Sequence, residues 1–160
     1  MATFEKLLKD GLVTPVVLKL RRGQFYERKL YALPECVDWM KTIPHMVTGR
    51  IASDMTPQEQ FVERVRQWLA GEYMEDDRRF HDMRPKGHHV WELKTPDLRI
   101  FGWMYRPRQF IAARGGYADD FKGQTRTKSY DQEKNLVVKL RNDLPLDGDK
   151  FVTGEFHELI

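Results

Sequence analysis

Residues 91–105 read WELKTPDLRIFGWMY and run on into RPRQFIAARGGYADDFKG at 106–123. Aromatic residues crowd this stretch, yet a Lys or Arg interrupts every few positions. Three strand-like segments follow in succession, at 90–95, 98–105 and about 108–116. Only Pro96-Asp97 and Arg106-Pro107 separate them, and connectors that short predict an antiparallel meander.

Side chains alternate across a strand, so each segment sorts its residues onto two faces. Trp91 and Leu93 share one face with Leu98, Ile100, Gly102 and Met104 from the second strand and Ile111 and Ala113 from the third. The other face collects Glu92, Lys94, Arg99, Phe101, Trp103, Tyr105, Phe110, Ala112 and Arg114. The aliphatic set predicts the core. The second set is chemistry suited to single-stranded nucleic acid, with cations for phosphates and rings such as Trp103 for stacking on bases. A second core formed by Phe101, Trp103 and Tyr105 under the N-terminal hairpin or the C-terminal tail is the alternative for the rings. Cations in mid-strand are costly to bury unpaired, so Lys94, Arg99 and Arg114 are read as facing solvent or a partner, unless Glu92 pairs with one of them.

Outward from the meander, Thr56-Pro57-Gln58-Glu59 is a helix start with a capping box, and Phe61, Val65, Trp68 and Leu69 then form one stripe that ends near Gly71. A second amphipathic helix is predicted over 129–142, with Ser129 as its cap and Leu136, Val137 and Leu140 on its apolar side. Upstream, Phe4–Leu8 reads as a short helix. Val16, Leu18 and Leu20 alternate into a turn at Arg22-Gly23-Gln24, and Phe25–Leu33 completes a hairpin. Pro34 opens a helix. Residues 45–55 and 83–87 read as loops, and 72–89 as polar and charged. The tail from Pro145 carries apolar residues enough to dock as a last strand or turn. The expected fold is α+β: a three-stranded antiparallel meander, extended by the N-terminal hairpin and the tail, flanked by helices. Residues 1–160 form one domain, with 1–50 as an extension, 56–142 as the core and 143–160 as an acidic, apolar tail.

Composition narrows the function. The chain has 160 residues, 41% hydrophobic and 32% charged, with a mean hydropathy of −0.64. No apolar run approaches the roughly 20 residues of a membrane span, and the first residues lack a signal-like stretch, so a cytoplasmic protein without membrane contact is expected. Cys36 is the only cysteine, which excludes an internal disulfide and a thiolate cluster. Residues 91–142 hold 11 Lys/Arg against 6 Asp/Glu, whereas 143–160 hold one Lys against 5 acids. A basic middle favours a polyanionic partner, and the acidic tail could fold back over it as a mimic of nucleic acid. His81, His88 and His89 lie near Asp76, Asp77 and Asp82, but their spacing fits no standard metal-ligand pattern. His88 or His89 would instead be a candidate base near the first strand.

A helix, a Glu92-Leu93-Lys94 strand, an Arg99-Ile100-Phe101 strand, a third strand ending Gly115-Gly116-Tyr117, and a basic turn Thr125-Arg126-Thr127-Lys128 before a helix together resemble the RelE/HigB superfamily of toxin–antitoxin systems, in its phage-derived, HigB-like branch. The resemblance covers about residues 56–142. It implies a ribosome-dependent mRNA endonuclease without metal or other cofactor, a cognate antitoxin protein as partner, and attack of the RNA 2′-OH on the adjacent phosphate. By position, it implies Lys94, Arg99 and Tyr117 as catalytic residues. Arg114, Lys122, Arg126, Lys128 and Trp103 are the expected RNA contacts. The chain departs from the family where Asp119-Asp120 replaces a Lys-Lys pair and Arg114 stands where His is frequent. A non-catalytic member that binds protein or RNA is the second reading.

Overall fold

The structure is a computed structural model that describes residues 1–46, 54–84, 86–122 and 126–160. In chain order its elements are α1 (Phe4–Lys9), β1 (Thr14–Pro15), β2 (Lys29–Ala32), α2 (Pro34–Met40), α3 (Pro57–Leu69), β3 (Phe80–Asp82), β4 (Trp91–Lys94), β5 (Leu98–Arg106), β6 (Gln109–Tyr117), α4 (Ala118–Phe121), α5 (Tyr130–Asp143) and α6 (Phe156–Leu159). Parts of the expected loops at 45–55 and 83–87, and Thr125, lie outside the described residues.

The meander pairs as expected, but a register shift between Phe101 and Gly102 exchanges the faces expected for its third strand: Phe110 and Ala112 pack with Ile100 and Met104, while Ile111 and Ala113 lie with Phe101 and Trp103 on the other face. β4, β5 and β6 pair antiparallel, with Lys94 opposite Arg99 and Leu98 opposite Tyr117. Its first turn is tied to α3 through one buried side chain. Gln60 Nε2 donates to Asp97 Oδ2 at 2.6 Å, and Gln60 Oε1 accepts from Thr95 Oγ1 and from the Asp97 N–H, both at 2.9 Å. At Gly102 the β5–β6 register shifts, and a Cβ there would strike the Ile111 carbonyl. Only glycine allows that approach, which explains the gap in an otherwise bulky strand.

The sheet departs from expectation at both edges. Among the described residues it has six strands in the order β1-β2-β6-β5-β4-β3. β2 pairs with β6 in parallel, so the sheet is mixed and not purely antiparallel. The parallel pairing needs a long crossover; α2, α3 and the meander lie between the two strands. β2 is an interior strand, so the segment read as an N-terminal extension contributes β1 and β2 to the sheet. The N-terminal hairpin is reduced to a two-residue ladder, Thr14 to Ala32 and Pro15 to Tyr31. Beyond it, Val16, Leu18 and Leu20 pack on the core without forming a strand. β3 emerges from the segment read as polar: Phe80 is fully buried and stacks on Trp91 with centroids 5.0 Å apart.

α3 has its capping box, with Glu59 N donating to Thr56 Oγ1 at 3.1 Å and Thr56 N to Glu59 Oε1 at 3.2 Å. Gly71 ends the helix at a φ of 73°. The stripe Phe61, Val65, Trp68 and Leu69 covers one sheet face together with Leu93, Leu98, Ile100 and Met104. The opposite face holds a second core of Phe101, Trp103, Ile111 and Ala113 beneath Phe121 of α4 and Val137 of α5. The acidic tail adds no strand. It docks where β5 ends, through Val152 N to Met104 O at 2.8 Å, and contributes α6. Lys94 and Arg99 are at the other end of the sheet, so this placement does not support the tail as a cover for them.

Cys36 of α2 is fully buried, and burial pushes its thiol up to about 12, against a smaller opposing pull from Arg114. The native protein should therefore resist iodoacetamide at mildly alkaline pH and react once unfolded in guanidinium. Fast labelling of the native chain would show that α2 does not stay packed.

Candidate active site

The strand register decides which polar side chains meet. His81 of β3 lies opposite Glu92 of β4, Glu92 opposite Phe101 of β5, and Lys94 opposite Arg99. All five therefore share one sheet face. Toward the middle of the sheet that face is closed by the second core. Toward the start of β5 it turns polar.

Glu92 is the centre of the polar end. Its side chain is only 3% exposed. His81 Nε2 lies 2.9 Å from Oε2 of Glu92, and Arg99 Nε lies 3.2 Å from Oε1. The Arg99 approach is within ion-pair reach but poorly aligned, since neither Oε1 nor Nε completes a hydrogen bond there. Arg99 Nη1 instead donates to the carbonyls of Thr95 at 2.5 Å and Leu98 at 2.8 Å. A carboxylate and a guanidinium this deeply buried each need the other, because an unpaired buried charge costs several kcal/mol.

Around this pair stand groups that reach solvent. The His81 side chain is 18% exposed, with Nδ1 3.6 Å from Asp77 Oδ1. Lys94 Nζ donates to the Asp77 carbonyl at 2.9 Å, where the backbone takes a φ of 68°. Lys122 is exposed, yet its ammonium is held below the usual lysine range, first by partial burial and then by the charges of Arg99 and Lys94. The Tyr130 hydroxyl is raised, mainly by burial and the Glu92 charge, and a hydrogen bond with Arg99 opposes the shift. Six residues from four elements and one connection thus converge: His81, Glu92, Lys94, Arg99, Lys122 and Tyr130. Beside them Phe121, Arg126, Thr127, Lys128, Ser129 and Tyr130 line an open groove of about 460 Å³.

Of the expected catalytic trio, Lys94 and Arg99 come together, but Arg99 is 5% exposed and faces Glu92 rather than solvent. Tyr117 lies on the other sheet face, opposite Leu98, where it packs against the first core and meets Trp39 edge-on at 6.2 Å. Trp103 is fully buried and its Nε1 donates to the Lys150 carbonyl at 2.9 Å. No face of that ring is open for a base to stack on. Arg114 is a strut between β6 and α5, with Nε 2.5 Å from Glu133 Oε1 and Nη1 3.8 Å from Glu35 Oε2. Lys122, Arg126 and Lys128 are exposed.

In the sequence His81 stood out only as a weak metal-ligand candidate, and neither Glu92 as the centre of the site nor Tyr130 stood out at all. Glu92 carried a signal, since it alternates with Lys94 on one strand. His81 carried none for this site until β3 is known to pair with β4. His88 and His89 are not at this site: both have positive φ, and their carbonyls accept from Arg141 at 2.9 and 3.4 Å on the α5 side. Asp120 has a local role, its carbonyl accepting from Thr127 N at 2.9 Å and Lys128 N at 2.8 Å to fold the basic segment back. Among the described residues no group of three or more His, Cys, Asp or Glu side chains is placed to hold a metal ion, and no helix is long and apolar enough to cross a membrane. In comparisons with protein-family models, curated proteins and solved structures, nothing matches this chain.

Proposed function

We propose that the chain is a RelE/HigB-like ribonuclease that cuts mRNA at the ribosome by attack of a 2′-OH on the adjacent phosphate. The observation that carries this reading is the His81–Glu92–Arg99 relay, buried at one end and open at the other, with Lys94, Lys122 and Tyr130 around it. A buried carboxylate that holds an exposed imidazole is the usual arrangement of a histidine base. His81 takes the 2′-OH proton while Glu92 fixes the ring through Nε2. The 2′-oxygen bonds to phosphorus, the bond to the 5′-oxygen breaks, and that oxygen takes a proton from Lys122. Lys94 and the protonated Lys122 offset the charge of the phosphorane. The products are a 2′,3′-cyclic phosphate and a 5′-hydroxyl. The base, the acid and the cations are all side chains of this chain, so the reading invokes no metal. A cognate antitoxin would be the partner that restrains it.

Expression of the chain should arrest growth and fragment mRNA, and Lys94→Ala with Lys122→Ala should relieve both. Normal growth with intact mRNA on wild-type expression would end this reading. The lowered Lys122 adds a pH test. A cation with a lowered pKa loses its charge at a lower pH than an ordinary lysine, so activity should fall early on the alkaline side. Lys122→Arg keeps its charge throughout that range and should move the alkaline limb of RNA binding upward; an unmoved limb would remove Lys122 from the site.

A second reading, an RNA- or protein-binding member without cleavage, is favoured by the burial of Arg99 and the engagement of Arg114 with Glu133. Arg99 is closed off from a phosphate as it stands, and Arg114 already has a carboxylate partner. This reading predicts RNA retention on the chain with no cut ends.

A further inference from the structure

The edge of the sheet farthest from His81 carries an apolar groove of about 340 Å³, whose walls include Pro15, Val16, Val17, Tyr26, Leu30 and Leu69. The loop that forms it leaves large apolar side chains in water. Val17 is 64% exposed, Phe25 74% and Tyr26 56%. Exposed apolar residues gathered around a groove mark an interaction site more often than chance. The same loop is strongly basic: residues 16–29 hold Lys19, Arg21, Arg22, Arg28 and Lys29 against Glu27 alone. Arg28 is committed internally, donating to the carbonyls of Trp68 and Glu72, and Arg21 pairs with Glu63 at 3.1 Å, but Lys19, Arg22 and Lys29 are exposed. Lys29 borders both this groove and a second one of about 300 Å³ that reaches Arg108.

The edge does not invite another strand. β1 is two residues long, and Pro15 has no N–H to offer a ladder. An occupant must therefore enter with side chains. Carbon-lined walls suit aliphatic groups better than a sugar–phosphate chain, and the cations around them suit carboxylates. We propose that the β1–β2 edge is a docking groove for an acidic, amphipathic helical segment of a partner protein. This stands apart from the RNA-cleavage reading, since the two edges are five strand spacings apart, roughly 24 Å.

The test is selection of a displayed random peptide library, of about 15 residues or four helical turns, on the immobilised full chain. Enriched peptides should carry apolar residues at i, i+3 or i+4, and i+7, flanked by Asp or Glu. Val17→Glu, at an exposed position, should weaken the best of them on the order of tenfold or more, the scale of one lost valine contact. Lys29→Glu and added salt should weaken them as well, and both variants should melt as wild type does. The proposal is overturned if the enriched peptides are basic or lack helical spacing, or if they bind Val17→Glu unchanged. It is equally overturned if poly(U) RNA or phosphatidylserine vesicles bind through Val17 and the peptides do not. RNA cleavage by Val17→Glu should match wild type.

Discussion

His81→Ala should lower the rate of RNA cleavage by roughly 10²–10⁴-fold, the usual contribution of a positioned general base, at a smaller cost in stability of about 1–3 kcal/mol, because the buried Glu92 loses its hydrogen bond. The asymmetry follows from where the ring stands. β3 is a three-residue edge strand, and the imidazole is partly open to solvent. Removing it deletes the base and a hydrogen bond to Glu92, but leaves the Arg99 charge 3.2 Å from the carboxylate. Glu92→Gln should give a similar loss, because a carboxamide no longer fixes the ring's proton. Glu92→Ala differs again, since it leaves Arg99 buried and unpaired. That variant should lose roughly 3–5 kcal/mol of stability. Single-turnover cleavage and thermal melts on the three variants separate base, orienter and structural partner. Equal cleavage by His81→Ala and wild type would remove the histidine from the chemistry.

Trp103→Ala should destabilise the fold by roughly 3–5 kcal/mol, the cost of emptying a tryptophan site. At about 2–4 °C per kcal/mol for a chain of this size, the melting temperature falls by on the order of 10 °C. The ring is fully buried in the second core, and its loss also orphans the Lys150 carbonyl in the tail. Trp103→Phe retains most of the packing and should lose far less. RNA affinity of the folded Trp103→Ala protein should be unchanged at low temperature. A stable variant with weakened RNA binding would return Trp103 to the surface role that the alternation of rings and cations suggested.

The contrast between those two residues shows which information is local. The pairing of the meander was legible because alternation and two short connectors specify it within 30 residues; the faces of Phe110 to Ala113 were not, because the register shift at Phe101/Gly102 leaves no mark in the alternation. The Thr56 capping box was legible for the same reason. The parallel β2–β6 pairing was not, because it joins Lys29 to Gln109 across half of the chain. β3 escaped because a three-residue strand with one apolar side chain has no period to detect; Phe80 is held by Trp91, not by its own neighbours. The site divides along the same line. Lys94 and Arg99 could be found on adjacent strands, but the sign of Arg99's exposure depended on Glu92 and His81 meeting it. Tyr117 failed because its register partner is Leu98, which puts it on the opposite face. Tyr130 fills the place by Arg99 from another helix.

Cleavage by 2′-OH attack at the His81–Glu92 end of the sheet leaves ends of defined chemistry. The most direct measurement is to incubate the purified chain with mRNA on programmed ribosomes and determine the chemistry of the new ends. The account predicts a 2′,3′-cyclic phosphate and a 5′-hydroxyl at each cut, no cut where the 2′-OH is replaced by hydrogen, and loss of cutting in His81→Ala. Intact mRNA at stoichiometric protein, or new ends bearing a 3′-hydroxyl, would contradict it.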